Sequence, residues 1–480
     1  MDTSILKPRL LRIGDASIAL YVDEHIEPDP RAVAQLEQLA RAPGVVSPVV
    51  ALPDIHYKAR NPAPTGMVAA VDGGVVPLAI DAGVNCGMRV HLLDLGADEL
   101  GDAGVQRFFD SVRARIPTGW HPKDVVDDAE MRAVLERGAA WVLEREDGRG
   151  GPLHRIENHG ALPAHSVEAA IPGGAWRRGR RGLGVLGGGN HFLELHVLEE
   201  VLHPHGELLG MRRGQLLVLL HSGSGVVGKT VGLYYGARNE RSGHSAARFA
   251  FEKVAYHLRP GARRTRIGHF RQGAFRLLHA DSGEGLRCLA AMAAAANFGY
   301  ANRARLGAAV EAAVAEAFGR HVAAPLLYDV SHNMIQSEEH DGRRLFVHRQ
   351  GASRALPPSR MSGDDLFSIT GQPFPVPGSM GAESYICVAG ETAAATYLSA
   401  NHGAGRILDK REARHAFAAD AVEEEMARQR ISLFKEGSRE GLAEQAPGAF
   451  KDIGAVLEVM EKTGIATAVA RTAPLGVLKG

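Results

Sequence analysis

The sequence predicts an α+β fold in which mixed β-sheets are surrounded by helices. Signals for strands, loops and helices alternate along the 480 residues. They lack the strict rhythm of repeated βαβ units that a doubly wound sheet requires. The apolar run from Gln215 to Leu220 is typical of a buried strand. A chain of this length can bury a large core without disulfides or a structural metal.

The individual elements follow from local spacing. Val33, Leu36 and Leu39 recur at helical spacing within residues 30–42, and Pro43 and Gly44 then end the helix. The next stretch, Val45 to Leu52, predicts a strand. The remaining expectations are strands and tight loops at 66–90, a polar and partly helical segment at 100–170, and helices at 286–318, 410–432 and 451–463.

Composition limits the class of protein. The chain carries 55 Lys and Arg against 55 Asp and Glu, so its formal net charge is zero. This balance excludes a wholly basic surface, but it allows a local basic channel for nucleic acid. The cysteines Cys86, Cys288 and Cys387 do not form a disulfide framework, so we expect a cytoplasmic protein in a reducing compartment. The residues after Met1 lack a signal-peptide core and no run could span a bilayer, so no membrane association is expected.

Four histidines and one cysteine stand where chemistry is expected. His191, His221, His332, His402 and Cys86 each border an apolar stretch and have small neighbours, which lets a ligand approach closely. A thiolate together with imidazoles suits Zn²⁺, Mn²⁺ or Fe²⁺ better than Mg²⁺ or Ca²⁺. Taken singly, each histidine is more often a surface or core residue, and Cys86 alone is more often a small buried hydrophobe. Taken together, they indicate a metal-dependent enzyme.

Glycine-rich turns indicate phosphate binding. The segments 187–190, 378–381 and 403–406 can expose backbone N–H groups that hold phosphates, although none fits the Walker pattern. Arg303, Arg349 and Arg406 are candidates to clamp a phosphate. The alternative for each arginine is a solvated or helix-capping side chain.

From Pro43 to Gly480 the chain resembles the RtcB family of RNA-splicing ligases. The resemblance rests on motifs that occur in the same order along the chain. They are Leu52–His56, Cys86–Met88, Leu186–Phe192, His221–Ser224, Asn297–Arg303, Tyr328–Asn333, Val347–Arg349, Pro377–Gly381, His402–Arg406, Glu444–Asp452 and Pro474–Gly480.

The resemblance implies a single ligase domain over residues 1–480, with its active site in a central cleft. Such ligases join an RNA 3′-phosphate or 2′,3′-cyclic phosphate to a 5′-hydroxyl, using GTP and Mn²⁺. His402 matches the histidine that attacks the α-phosphorus of GTP and carries GMP. The GMP then passes to the RNA 3′-phosphate, and the 5′-hydroxyl displaces it.

The resemblance also implies roles for other residues. Cys86, His221 and His332 match the ligands of one Mn²⁺, and Cys86 with His191 matches part of a second site. Asp54 matches an active-site carboxylate. The positions that match nucleotide-holding residues are Asn190, Glu194, Ser379, Ser384, Ala404, Gly405 and Lys479.

The chain departs from the family pattern at a few of these places. The family aspartate that ligates the second metal is Gly83 here, so the second site is expected to be weak or to recruit Asp81 or Asn85. The other departures are Gly225 for arginine, Gln350 for lysine, Phe450 for tyrosine and Lys410 for arginine. They indicate a divergent paralogue. The alternatives are a paralogue that guanylates RNA or other 3′-phosphate ends without sealing them, and a non-catalytic GTP- or RNA-binding protein.

Overall fold

Two β-sheets packed face to face organise the chain. A computed structural model describes residues 5–59, 61–101, 103–236, 275–436 and 440–480; Met1 to Ser4, used above in the argument about targeting, lie outside them. One sheet has the strand order β1-β2-β3-β4-β12-β11 and the other β10-β6-β8-β7-β18-β15-β14, with β17 pairing to β18. The strands are β1 Arg9–Ile13, β2 Ala16–Leu20, β3 Val45–His56, β4 Thr65–Val71, β5 Gly74–Val75, β6 Gly87–Gly96, β7 Phe192–Val201, β8 Gln215–Ser222, β9 Leu278–His279, β10 Leu326–Ser331, β11 Asn333–His340, β12 Arg343–Gln350, β13 Ala352–Arg354, β14 Pro373–Val376, β15 Ser384–Ala389, β16 Ser399–Asn401, β17 Ser432–Lys435 and β18 Ala466–Lys479.

Helices cover the outer faces of both sheets. The described α-helices are α1 Pro30–Ala40, α2 Gly104–Arg115, α3 Asp128–Arg137, α4 Ala139–Arg145, α5 Val167–Ala170, α6 Gly173–Gly179, α7 Pro204–Leu208, α8 Gly225–Tyr235, α9 Gly283–Phe318, α10 Phe367–Thr370, α11 Lys410–Ala416, α12 Ala419–Arg428, α13 Glu440–Ala443 and α14 Ile453–Lys462. Helices α1 and α14 pack on β2 and β3, whereas α2 and α9 pack on β6 and β8. This arrangement confirms the predicted α+β architecture.

The predicted strand at Gln215–Leu220 is confirmed as β8. Its residues alternate between two cores: Leu217 and Leu219 face the other sheet, whereas Leu216, Val218 and Leu220 face the helices. Successive side chains of a strand point to opposite faces. Because both faces are covered, an unbroken apolar run is the stable choice here.

The predicted helix at 410–432 is divided in two by the structure. A capping box between Asp409 and Glu412 starts α11, and the backbone becomes extended at Phe417 and Ala418 before α12 begins. The turn lets Phe417 pack on a small core cluster that includes Met426. The other predicted helices correspond to α1, α9 and α14, with shifted ends. Among the described residues, no helix combines the length and apolar character that a membrane crossing requires.

Candidate active site

Several strands of the larger sheet end on the same side of the sheet. Their ends border a cavity of about 1390 Å³. At these strand ends Ser331 lies opposite Gly87, and Gly87 lies opposite Ser222. On the next strand Phe192 lies between His221 and Lys479. Strands β3 and β12 of the smaller sheet bring His56 and Gln350 to the same cavity. Residues far apart in sequence therefore share one site.

A thiol and three imidazoles form a cluster at these strand ends. Cys86 Sγ lies 3.1 Å from His221 Nε2 and 3.3 Å from His191 Nε2. The ligand atoms of these three residues all lie within 4.8 Å of one another. His332 extends the cluster, since its Nε2 lies 3.2 Å from His221 Nε2. The sequence-predicted ligands are thus brought together at distances that one or two ions can bridge.

Backbone carbonyls orient the imidazoles. Nδ1 of His221 donates to the carbonyl of Asn190 at 3.0 Å, and Nδ1 of His191 donates to the carbonyl of Leu186 at 2.9 Å. A carbonyl can only accept, so these bonds leave the Nε2 lone pairs pointing at Cys86. Metal-bound histidines show the same arrangement.

Burial favours the forms of these groups that are neutral. It lowers the pKa of His191 to about 4 and lowers the pKa of His221 and His332 well below the usual range. Burial also raises the pKa of the Cys86 thiol to about 12. Neutral imidazoles are ready to bind a metal, whereas the thiol needs a nearby cation to ionise. The donor set therefore fits a soft or borderline transition-metal ion.

His402 stands beside this cluster and is oriented by a buried carboxylate. Its ring centroid lies 4.8 Å from that of His332. Its Nδ1 donates to Oδ2 of Asp54 at 2.7 Å, and Asp54 is fully buried. This bond places a hydrogen on Nδ1, so the lone pair of the neutral ring lies on Nε2. An imidazole in this state is a nucleophile at neutral pH.

Two further residues hold Asp54 in place, and sequence reasoning gave neither this role. Lys451 Nζ donates to the carbonyls of Pro53 at 2.9 Å and Ile55 at 2.6 Å. A Cβ on Gly405 would lie 2.3 Å from the carbonyl oxygen of Asp54, so only glycine allows the loop after His402 to approach so closely. The signal for Lys451 was its place in the motif Glu444–Asp452, which does not identify its partners.

The sequence-predicted nucleotide positions surround the same cavity. Those that line it directly are Asn190, Glu194, Ser379, Ala404, Gly405 and Lys479. Ser384 lies in the wall, where its Oγ accepts the backbone N–H of Gly378 at 3.2 Å. Burial lowers the pKa of Lys479 to about 8, and the charge of Glu194 opposes this shift.

Comparison with known proteins places the chain in a family. Residues 35–480 match the family profile described as tRNA-splicing ligase RtcB. This chain belongs to the RtcB family. It is 34% identical over 459 residues to the RNA-splicing ligase RtcB of Mycobacterium tuberculosis, which covers 93% of this chain and 100% of the relative. It is 31% identical over 464 residues to the tRNA-splicing ligase RtcB of Thermococcus kodakarensis, with 94% and 91% coverage.

Two arginines of this RtcB chain do not serve as the predicted phosphate clamps. Arg303 is fully buried, and it bonds Oδ1 of Asp329 at 2.9 Å and the carbonyl of Asn85 at 2.7 Å. Arg349 is 1% exposed and engages both carboxylate oxygens of Glu338, at 2.7 and 2.9 Å. Both are structural ion pairs, which neither the clamp nor the solvated alternative anticipated.

Arg406 does reach the cavity of this RtcB chain. Its guanidinium lies 4.5 Å from the ring centroid of Phe450 and its Nε donates to the carbonyl of Leu408 at 3.0 Å. It lines the cavity wall and remains a candidate phosphate contact.

Asp81 and Asn85 are the two expected substitutes for the aspartate that is missing at Gly83. Asn85 cannot replace it, because its side chain is fully buried and its Oδ1 accepts from Arg303 at 3.2 Å. Asp81 lines the cavity but forms an ion pair with Lys58. A Cβ on Gly83 would lie 3.8 Å from Cβ of Cys86, so a side chain at this position would lie beside the cluster of Cys86 and the histidines.

The other departures from the RtcB pattern lie at or near the cavity. Gly225 begins α8 and is exposed, whereas Gln350 is buried and bonds Asn61 at 3.0 Å and the carbonyl of Ala63 at 2.9 Å. Lys410 lies 3.6 Å from Glu444. Gln350 thus fills a polar position in the wall without supplying charge.

Proposed function

We propose that this protein is a GTP- and Mn²⁺-dependent RNA ligase that joins 3′-phosphate or 2′,3′-cyclic phosphate ends to 5′-hydroxyl ends. The carrying observation is the 2.7 Å bond from His402 Nδ1 to Asp54 Oδ2, beside the cluster of Cys86, His191, His221 and His332. A candidate nucleophile and candidate metal ligands in one cavity lined by glycine-rich turns fit nucleotidyl transfer. A pure binding protein has no need for both.

In the proposed reaction, Nε2 of His402 attacks the α-phosphorus of GTP. A P–N bond forms, and the bond from the α-phosphorus to the bridging oxygen breaks, which releases pyrophosphate. The imidazole gains positive charge during the attack, and the Asp54 carboxylate stabilises that charge. An oxygen of the RNA 3′-phosphate then displaces His402 from phosphorus, and finally the RNA 5′-hydroxyl attacks the activated end and releases GMP.

The residues around His402 hold the reactants. We assign the backbone at Ala404 and Gly405 to the nucleotide, together with the side chains of Asn190, Glu194, Ser379, Ser384 and Lys479. Cys86, His221 and His332 would hold one Mn²⁺, and Cys86 with His191 would hold a second, weaker one. A divalent ion bound there would neutralise phosphate charge and help align the attacking atom with the leaving oxygen.

We also propose that residues 1–480 form one ligase domain that acts in the cytoplasm. The family match ends at residue 35 on the amino-terminal side, but β2 pairs in parallel with β3 through Ile18, Ala19 and Leu20. The amino-terminal strands are thus part of the smaller sheet. Cys86, Cys288 and Cys387 are not joined in disulfides, which is usual for proteins of a reducing compartment.

The test is covalent labelling with α-labelled GTP and Mn²⁺, followed by acid treatment. We expect an acid-labile label on His402, and none in His402→Ala. His415→Ala is the matched control, because His415 also lines the cavity. This variant should still be labelled on His402. Persistent labelling of His402→Ala would rule out the assigned nucleophile.

A second candidate is a paralogue that guanylates 3′-phosphate ends without sealing them. It is favoured by Gly225 and Gln350, which remove two positive charges expected of the family. Incubation with RNA bearing a 3′-phosphate and a 5′-hydroxyl separates the two: sealing gives circles or longer chains, whereas the alternative accumulates guanylated 3′ ends.

A further inference from the structure

A hydrogen-bonded chain of side chains links Glu194 to Ser384 behind the cavity wall. His196 Nε2 lies 3.0 Å from Glu194 Oε2, and His196 Nδ1 lies 3.0 Å from Thr472 Oγ1. Thr472 Oγ1 in turn lies 3.1 Å from the carbonyl oxygen of Ser384. These residues belong to β7, β18 and β15, which are neighbours in the larger sheet. This series of hydrogen bonds therefore crosses the sheet directly behind the proposed nucleotide positions.

Burying these hydrogen-bonded polar side chains costs desolvation free energy. A functional role would explain why they are polar. His196 and Thr472 are both 0% exposed, and Glu194 is 7% exposed. Apolar residues of similar size would fill such a space without the cost of desolvating polar groups. Glu194 lines the cavity, so any effect of the chain on a ligand is exerted through this carboxylate.

The hydrogen-bonding capacity of each group fixes how the chain is arranged. A carboxylate only accepts, so Nε2–H of His196 donates to Oε2 of Glu194. Residues two apart on a strand share a face, which places the ring beside the carboxylate. If Nδ1 of His196 carries no hydrogen, it accepts the hydroxyl hydrogen of Thr472. If Nδ1 carries one, it donates to Thr472 Oγ1, and the hydroxyl hydrogen of Thr472 goes to the Ser384 carbonyl. In both arrangements the ring has a partner on each nitrogen, so the plane of the Glu194 carboxylate is held.

Within the described part of the chain, Oε1 of Glu194 receives no hydrogen bond from protein. Each carboxylate oxygen can accept more than one hydrogen, so Oε2 also keeps capacity for a ligand. An oriented carboxylate with this capacity matches a ligand edge that carries two adjacent N–H donors. Guanine presents such an edge at N1 and the 2-amino group, whereas adenine presents a lone pair at N1.

We propose that His196 and Thr472 are positioning residues that orient Glu194 so that the cavity selects guanine over adenine. The inference rests on the proposed function in one respect, since there Glu194 is assigned to the nucleotide. A site built to accept two hydrogen bonds rejects an analogue that lacks the donors, because its buried acceptors are left unpaired. That rejection requires the carboxylate plane to be fixed, which is what the buried chain provides.

The test is equilibrium binding, in the presence of Mn²⁺, of the α,β-methylene analogues of GTP and ATP to the full chain. These analogues cannot transfer a nucleotide to His402, so binding is measured apart from chemistry. We expect the wild type to bind the guanosine analogue at least about 100-fold more tightly. His196→Leu and Thr472→Val should each reduce this ratio at least about tenfold. The matched variants His196→Gln and Thr472→Ser keep a hydrogen-bonding group and should retain most of the ratio.

The possible results separate this inference from the ligase proposal. Equal loss of affinity for both analogues in His196→Leu would indicate a merely structural role and overturn the inference, as would a wild type without base preference. If His196→Leu does not fold, the comparison of Thr472→Val with Thr472→Ser decides. A wild type that prefers the guanosine analogue, loses that preference in these variants, and yet never labels His402 would overturn the ligase reaction and leave this inference standing.

Discussion

Oδ2 of Asp54 lies 2.7 Å from Nδ1 of His402 and 3.3 Å from the backbone nitrogen of the same residue. One carboxylate oxygen thus fixes both the ring and the main chain at the proposed nucleophile. The pairing decides which ring nitrogen carries hydrogen, and therefore which one can attack.

Asp54→Asn should slow guanylation of His402 by roughly 10²–10⁴-fold. The amide has nearly the same size, but its N–H₂ group can face Nδ1 and move the hydrogen to Nε2, which blocks the nucleophile. The measurement is the rate of labelling with α-labelled GTP. Affinity for the α,β-methylene analogue should change less than about threefold in the same variant, and a parallel loss of affinity would contradict this explanation.

Cys86→Ser should lose tightly bound transition metal, since serine does not supply a thiolate to the cluster. Metal content after dialysis and the thermal midpoint with and without Mn²⁺ report the change. At a Mn²⁺ concentration 100 times the dissociation constant, binding stabilises the wild type by about 2.7 kcal/mol. Cys387→Ser is the control, because Cys387 is fully buried in a core cluster and should leave the metal content unchanged.

Gly83→Asp should strengthen the second metal site. A Cβ here meets Asn333 Nδ2 at 3.6 Å and Cβ of Cys86 at 3.8 Å, which are ordinary contacts. We expect the Mn²⁺ concentration needed for half-maximal labelling to fall, and metal analysis to show a second equivalent. Gly83→Asn, which adds a neutral oxygen, should act more weakly. Two tight and equivalent sites in the wild type, unaffected by Gly83→Asp, would show that the second site was never weak.

Binding of the nucleotide analogue should weaken as the pH rises from 7 to 9.5. Burial lowers the pKa of Lys479 to about 8, against the opposing charge of Glu194. A lysine is charged below its pKa, so the ammonium that attracts phosphate is lost across this range. We expect roughly a tenfold loss of affinity. In Lys479→Met the affinity should be low and nearly independent of pH, and a wild-type slope that survives this substitution points to another group.

Arg303→Met should destabilise the protein by about 3–5 kcal/mol, because it leaves the buried Asp329 with one arginine partner fewer. Arg303 and Asp329 are both fully buried, and Arg89 is the second partner at 2.9 Å. The control is Arg343→Met, which breaks the ion pair between Arg343 and Asp72. Both of these side chains are 55% exposed. That change should cost less than about 1 kcal/mol. The midpoints of denaturant unfolding compare the two variants.

Local sequence predicted the elements whose character is set by near neighbours. Strand β8 was predictable because an apolar run of its length suits a strand covered on both faces. The sequence also predicted that Cys86 and His221 belong to one site, since each borders an apolar stretch and has small neighbours. The positions matched to the RtcB family then located the cavity residues, although their roles remain proposals.

Interactions between distant segments were not predictable in the same way. The sequence near Arg303 and Arg349 does not reveal that they form buried ion pairs with Asp329 and Glu338. The roles of His196 and Lys451 depend on Thr472 and on the carbonyls beside Asp54, which other strands deliver. The division of the predicted helix 410–432 likewise depends on the cluster that receives Phe417.

The position of β18 has a consequence for how the chain acquires its structure during synthesis. This strand inserts between β7 and β15, both of which emerge from the ribosome earlier. Until it inserts, the facing edges of β7 and β15 are unpaired, and such edges invite association with other chains. Contacts between segments so distant in sequence also form slowly. We therefore expect this sheet to close late in folding. In that final step Lys479 would reach the cavity wall, and Thr472 would reach His196 behind it.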